Sequence, residues 1–483
     1  MPNALSKTAN LNRDNKKMTS ESTTDTNDYA LEPVPESAQT SGVAVGMING
    51  ALAFAVPGLI TGIEIGEALG FWESLAAFLV GGLILAFFGT VTALVGRANR
   101  LTSYVTIRHV FGVWGAKLVS FCFVLSLLGW YGVNLDLFAL ATNGLLVDYL
   151  SITFNSSAIE WGVSAVIVIT TLYGFQRMEK LSTWLVPIMG VVTLFLLIKS
   201  AMAMESSGGL AAVEPTMSFG TAVSAVVGSF IVSIVLLPDL ARFCRTKRDA
   251  WSASFIPFFL LSTFVYIAAS LAANVFGSDD ILALMVKVGL GLAAFVLLIC
   301  SSWLTNVLNL YSASLGAAAV INGGKQKVLI IAMGVMGAVA SSLNLLDSFS
   351  EFLFSLSIMF TPVAAIYCAD FFILRKQAVY RTDDFIPSFN ISAIAAWITG
   401  ILFTFTSVET GLFITPIEAI DALIVSLVSY LILSYIARAF GTNISNRASN
   451  TSGATVSTRS SIDSNTDSRT DNPIKNSTKR ENP

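Results

Sequence analysis

GMINGALAFAVPGLITG, residues 46–62, is apolar enough to lie in lipid, yet it carries Pro57 and Gly58 near its middle. Proline removes a backbone donor and clashes with the carbonyl one turn back. A second apolar stretch, VVGSFIVSIVLLPDLARF at residues 226–243, has Gly228–Ser229 in its middle and Pro238 further on. The first and second interrupted runs are separated by four others. Interrupted apolar segments at corresponding positions of two halves point to an inverted-repeat transporter. There, helices one to five and six to ten are related by a pseudo-twofold axis. Unwound carbonyls and half-helix ends at the midplane hold substrate and coupling ion. The halves share no detectable sequence identity, so this reading rests on the break positions. It predicts unwound backbone at Pro57 and Ser229, facing one central cavity.

The rest of the chain has a matching composition. Of 483 residues, 54% are hydrophobic and only 12% charged, and the mean hydropathy is +0.71. Soluble proteins carry about 25% charged residues. Lys plus Arg number 28 against 31 Asp plus Glu, net −3, which excludes a basic nucleic-acid binder. Apolar runs fall at 42–63, 74–96, 114–142, 160–176, 181–203, 220–241, 254–276, 283–317, 327–345, 350–374, 390–407 and 417–440. A spanning helix needs about 20 apolar residues. Only helices or closed barrels satisfy the backbone in lipid, and no strict alternation favours a barrel. The expected fold is an all-α membrane protein of about twelve spanning helices, a five-plus-five inverted repeat with two peripheral helices. Residues 1–40 and 441–483 are rich in Ser, Thr, Asn and Asp and read as disordered cytoplasmic tails around a transporter domain at 41–440. Residues 1–30 hold no apolar stretch, so no cleavable signal is expected.

Loop charge sets the orientation. Alternate loops hold Arg97, Arg100, Arg108 and Lys117; Arg177 and Lys180; Arg242, Arg245, Lys247 and Arg248; Lys325 and Lys327; and Arg375, Lys376 and Arg381. The opposite loops are acidic, with Glu64, Glu67, Glu73, Asp148, Glu160, Glu205, Glu214, Asp279, Asp280, Asp347 and Glu409. Lys199 and Lys287 are the cations near that side. The positive-inside rule puts both termini in the cytoplasm of a multi-pass protein of the cell (inner) membrane.

Several motifs carry a resemblance over about residues 33–440: PVPES before the first helix, IRHVFGVWG after the second and GWYGV in the third; VVGSF and DLARF in the sixth, WLTN and LYSASLG in the eighth, and TPVAAIYCADFF in the tenth. In this order the chain resembles the cytosine permeases of the nucleobase–cation symporter family. The resemblance implies a leucine-transporter-like fold and import of a nucleobase, cytosine first, by cation symport. Purines, uracil, hydantoins, allantoin and pyrimidine vitamin precursors are alternatives.

On that resemblance, Trp130 and Phe230 are two aromatic platforms for a flat base, and stacking contributes about 1–3 kcal/mol per base. Backbone around Ser229 and the side chain of Ser301 would read the base edge. Ser301 stands where the cytosine permeases have an amide, and Leu127 where they have a glutamine. The sodium site implied for the relatives falls here on the carbonyls of Ala53 and Val56 with Ser301 and Thr305. Leu304 replaces the neighbouring hydroxyl, so one hard oxygen ligand is missing. A proton on Asp136 is the alternative coupling ion, with Glu64 and Glu67 as further candidate acids. His109, in a cytoplasmic loop, has no metal partners.

Asp239 with Arg242, and Asp370 with Arg375, are charge pairs of structural or gating character. Cys122, Cys244, Cys300 and Cys368 form no CxxC pair, so neither zinc nor a disulfide framework is indicated. A channel would need repeated carbonyl or charge rings. An enzyme would need paired acids or a Cys–His pair. An ATP-driven pump would need a GxxxxGK[ST] loop. These patterns are missing from the sequence. No cofactor beyond the sodium ion or proton, and no protein or nucleic-acid partner, is expected; the partners are the heterocycle and the bilayer.

Overall fold

The computed structural model describes residues 33–206, 210, 213–277, 281–289, 291–321, 325–381 and 384–456. Of the two expected tails, residues 1–32 and 457–483 lie outside the described residues. Residues 33–40, assigned to the tail by composition, are tied down. The Val34 N–H donates to the Arg100 carbonyl at 3.1 Å and the Thr40 N–H to the Phe243 carbonyl at 2.8 Å. Arg245 reaches back to the Gln39 carbonyl at 2.9 Å. Beyond residue 440 the backbone continues as helix to Val456.

Helices account for nearly all the architecture. Among the described residues, β structure is a single parallel bridge between Thr40 and Cys244. The first run consists of α1 (Gly42–Gly50), a 3-10 turn (Ala51–Phe54) and α2 (Val56–Leu69). Then come α3 (Phe71–Asn99), α4 (Ser103–Leu150) and α5 (Ser156–Ser206). A 51-residue helix such as α5 would rise roughly 75 Å. That exceeds twice the hydrocarbon core. It contains two apolar stretches, Ser156–Leu172 and Pro187–Ser206. Arg177 and Lys180 fall between them, where side chains lie outside the described residues.

The sixth run is α6 (Phe219–Val235) with the short α7 (Pro238–Ala241). The seventh is α8 (Lys247–Phe255), a π-helical turn (Ile256–Leu261) and α9 (Ser262–Phe276). Pro257 supplies no N–H, and the chain widens there. The single run expected at 283–317 is divided into α10 (Ile281–Lys287) and α11 (Leu292–Ile321). The intervening VGLG has no polar residue to mark the stop. The remaining helices are α12 (Gln326–Ser341), α13 (Phe349–Ala369, then a π turn over Asp370–Leu374), α14 (Ile391–Thr410) and α15 (Glu418–Val456). Among the described residues, eight helices are long and apolar enough to cross a bilayer, or nine when the bent first run counts as one span. Ser156–Leu172, Phe219–Val235 and Gln326–Ser341 are shorter apolar helices.

The two predicted breaks have different outcomes. The first run is broken: α1 with its 3-10 turn meets α2 at 61°. Ala55 is extended there, at φ −69° and ψ 154°, and Pro57 lies in the first turn of α2. The sixth run is not unwound at Ser229. Helix α6 passes through Gly228–Ser229 without interruption, and the irregularity comes later, at Leu236–Leu237 ahead of Pro238. Gly228 serves a different purpose. A methyl group there would overlap the Leu353 carbonyl, so the missing side chain lets α6 and α13 touch backbone to backbone.

Packing follows a twofold pattern. Counted in chain order, run one packs on run seven through α2 and α9, and run six on run two through α6 and α3. Run three packs on run nine through α4 and α12, and run eight meets run four through α11 and α5, where Trp303 donates to Thr170. Exchanging each run with the one five places away turns each pairing into the other. Runs three and eight, α4 and α11, pack on each other. The inverted repeat is therefore present in the contacts, although it is invisible in residue identity.

Candidate functional site

The break in run one follows from local chemistry. The carbonyl of Ala53 would accept from residue 57 in a continuous helix, but Pro57 has no N–H to give. The chain closes the gap with shorter bonds. The Ala55 N–H donates to Leu52 at 3.2 Å and the Gly58 N–H to Ala55 at 2.9 Å. Ala53 and Val56 are buried. Helix α2, which begins at this break, packs against α11. That helix carries Ser301, Leu304 and Thr305. Ser301 and Leu304 are buried and Thr305 is half-buried. The Thr305 hydroxyl donates to the Ser301 carbonyl at 2.9 Å. Its single proton is thus used inside the helix, and its oxygen lone pairs remain.

Trp130 lies in the middle of α4, half-buried, with its ring edge-on to Phe349 at 5.8 Å and to Phe352 at 5.4 Å. Phe230 is buried in α6 and packs on Phe258 of the π turn at 5.6 Å. Their ring neighbours therefore belong to different helices. The first turns of α13 nevertheless draw both regions together, since Phe349 and Phe352 meet Trp130 while Leu353 meets Gly228.

The Ser229 hydroxyl is already engaged. It donates to the Val226 carbonyl at 2.7 Å and shares a 2.7 Å hydrogen bond with the Tyr266 hydroxyl. With the Ser229 proton on Val226, Tyr266 is the donor of the pair. Ser229 thus holds a fully buried tyrosine, and the helix is continuous where unwound backbone was expected.

Asp136 is half-buried on α4, and the carboxylates of Glu160 and Asp347 act on it electrostatically. Glu160 accepts from the Ser341 hydroxyl at 3.0 Å. Glu64 accepts from Ser350 in the first turn of α13. Glu67 lines a separate cavity of about 230 Å³ with Val213, Ala273, Asn274 and Gly277. This cavity includes none of the aromatic or hydroxyl candidates.

The cationic end is extensively cross-linked. Asp239 accepts from the Ser103 N–H at 2.7 Å, at the start of α4, and Arg242 donates to the Asp239 carbonyl at 2.9 Å. Asp370 accepts from Tyr380 at 2.8 Å and Tyr430 at 2.9 Å and pairs with Arg375 at 3.4 Å. His109, expected in a loop, lies in the first turns of α4, ahead of a kink. Gly112 at the kink has φ 80°, and a Cβ there would fall 2.8 Å from the Pro387 carbonyl oxygen. Both ring nitrogens of His109 face carbonyls, Val105 at 2.7 Å and Arg381 at 2.9 Å.

Two residues not anticipated from the sequence are Asn134 and Asn306, which grip the turn that carries Trp130. The Asn134 amide donates to the Trp130 carbonyl at 2.7 Å, and the Asn306 amide crosses from α11 to the Tyr131 carbonyl at 3.0 Å. Their signal was an amide side chain within a membrane-spanning run.

Known proteins share this fold. The chain belongs to the family of permeases for cytosine/purines, uracil, thiamine and allantoin, which matches residues 33–433. It is a multi-pass membrane transporter, not an enzyme. Cytosine permease of Escherichia coli (strain K12) is 29% identical over 414 residues, covering 84% of this chain and 94% of the relative. Among solved structures, inward-facing Mhp1 superposes with a TM-score of 0.75 at 18% identity, covering 84% of this chain and 93% of that one. Mhp1 as a nucleobase-cation-symport-1 family transporter, closed with bromovinylhydantoin bound, gives 0.69 at 20% identity, covering 84% and 95%. The fold is thus the one Mhp1 has.

Proposed function

We propose that this protein imports cytosine by symport with sodium, across an inner membrane that it spans about twelve times with both termini in the cytoplasm. The observation that carries the reading is the break at Ala55, which leaves the Ala53 carbonyl without its helical donor beside the helix that bears Ser301 and Thr305. Oxygen ligands freed by a helix break suit a hard cation. In this reading Ala53, Val56, Ser301 and Thr305 hold sodium, and Trp130, Phe230 and Ser301 hold the base. Binding at the midplane is followed by rocking of one bundle against the other, which exposes the site to the opposite side. The 29% identity to a cytosine permease favours cytosine among flat heterocycles. Shortened polar groups at Leu127 and Ser301 are compatible with another substrate of the same shape.

The test is uptake of labelled cytosine into proteoliposomes under an imposed sodium gradient, with pH and voltage clamped. Stimulation by sodium, and its loss in Thr305→Ala, is expected. Leu304→Thr should tighten apparent sodium affinity by restoring an oxygen. No stimulation by sodium rejects the choice of ion, and stimulation by a pH gradient that disappears in Asp136→Asn assigns a proton instead. Competition by purines, uracil, hydantoins and allantoin then ranks the substrates.

A further inference from the structure

Asn306 directly follows Thr305 on α11, and its side chain ends on the carbonyl of Tyr131, the residue after Trp130. Its amide therefore spans from the turn proposed to hold the cation to the turn proposed to hold the base. The span is rigid at both ends. Asn306, Tyr131 and Asn134 are each 0% exposed, and Asn134 secures the neighbouring Trp130 carbonyl from within α4. The Oδ1 atoms of both asparagines, and the Ser302 hydroxyl one turn before Asn306, have no hydrogen-bond partner among the described residues. Burying acceptors without donors is costly. Asparagine is thus a poor choice for packing alone, where leucine would fill similar space. The amide nitrogen makes the one side-chain hydrogen bond of Asn306 among the described residues, so a shift of its turn of α11 bears directly on the Tyr131 carbonyl.

We infer that Asn306 is a positioning residue that couples cation binding to substrate binding. This rests on the functional reading above. A cation drawing in the Ser301 carbonyl and Thr305 hydroxyl shifts that turn of α11. The Asn306 amide carries the shift to the Tyr131 carbonyl and so sets the pitch of the Trp130 ring. Coupling of this kind is reciprocal: sodium tightens the base by the same factor as the base tightens sodium.

The experiment measures the dissociation constant of labelled cytosine on the purified full chain, in choline and in saturating sodium. Sodium binding is measured separately with radiolabelled sodium. In the unaltered protein, sodium is expected to tighten cytosine by about tenfold, within the usual range of such couplings. Asn306→Leu should reduce that factor to below about twofold while each ligand alone binds within about threefold of normal. Asn306→Ser, polar but too short to cross, should do the same and covers the case in which the leucine variant fails to fold. Asn134→Leu, which removes a bond inside α4, should keep most of the coupling. Retention of the full factor in the Asn306 variants overturns the inference, as does equal loss in Asn134→Leu. Absence of any sodium effect in the unaltered protein overturns the functional reading itself, and this inference with it.

Discussion

Runs one and six occupy equivalent places in the two halves, and both contain a proline, but only run one is broken. In run one an extended residue, Ala55, precedes Pro57, and the axis turns by 61°. In run six Leu237 before Pro238 stays helical, at φ −57° and ψ −31°. The Leu236 N–H still donates to Val232 at 3.0 Å, and the Asp239 N–H to Leu236 at 3.0 Å. A proline near the end of a run costs one bond that a tighter turn replaces. A proline in the middle of a run, backed by an extended residue, leaves a mid-run carbonyl without its helical donor. The pseudo-symmetry thus relates positions, while the broken backbone belongs to run one alone.

The largest effect expected from breaking this comparison is at the contact between run six and α13. Gly228→Val places a branched side chain against the Leu353 backbone, and overpacking of this sort typically costs about 1–3 kcal/mol or more. Loss of a monodisperse peak on size exclusion, or a marked fall in melting temperature, checks it. Next is the base platform. Trp130→Ala should weaken cytosine binding by about 5- to 150-fold, the equivalent of about 1–3 kcal/mol of stacking, in protein that still elutes normally. Unchanged affinity would remove Trp130 from the site.

The two prolines then test the asymmetry directly. Pro57→Ala returns an N–H to the Ala53 carbonyl, and sodium stimulation of uptake should fall by about tenfold, the equivalent of one lost charge-directed bond. Pro238→Ala should leave sodium dependence within about twofold, since the chain there is already hydrogen-bonded. Equal effects would mean that the backbone of run six serves the cation as much as that of run one.

The smallest expected effect lies outside the membrane. Asp384 accepts from the Arg381 N–H at 3.2 Å and from Arg375 at 3.0 Å. The Arg381 N–H and the Arg375 guanidinium hold its carboxyl below the usual carboxylate range. A depressed folded value means that the contribution is present at neutral pH and disappears as pH falls through that value. Asp384→Asn should therefore lower thermal stability slightly at pH 7, by less than about 1 kcal/mol for a partly exposed pair. The difference should close below about pH 4.

Which parts were legible from sequence follows the same division. The run-one break could be read because a missing N–H is a property of one residue. The run-six reading failed because Gly228 answers to Leu353, a contact that no local pattern records. The division of residues 283–317 was hidden by apolar residues on both sides of it. Trp130 was legible as a large aromatic at mid-helix, but its edge contacts with Phe349 and Phe352 were not. Asn306 was visible only as a polar residue after Thr305, and its function depends on a helix whose residues lie far away in the chain.

The segment at residues 33–40 has a consequence for synthesis. Gln39 and its partner Arg245 are 206 positions apart. A ribosome adding about 5–20 residues per second makes the second roughly 10 to 40 s after the first. Among the earliest described residues to be made, this strap must wait beside the membrane until six runs have been inserted. Its docking then closes the ends of runs two and six at once, through Arg100 and Phe243. A nascent chain arrested before residue 243 should leave the strap open to protease, and one arrested well beyond it should protect the strap.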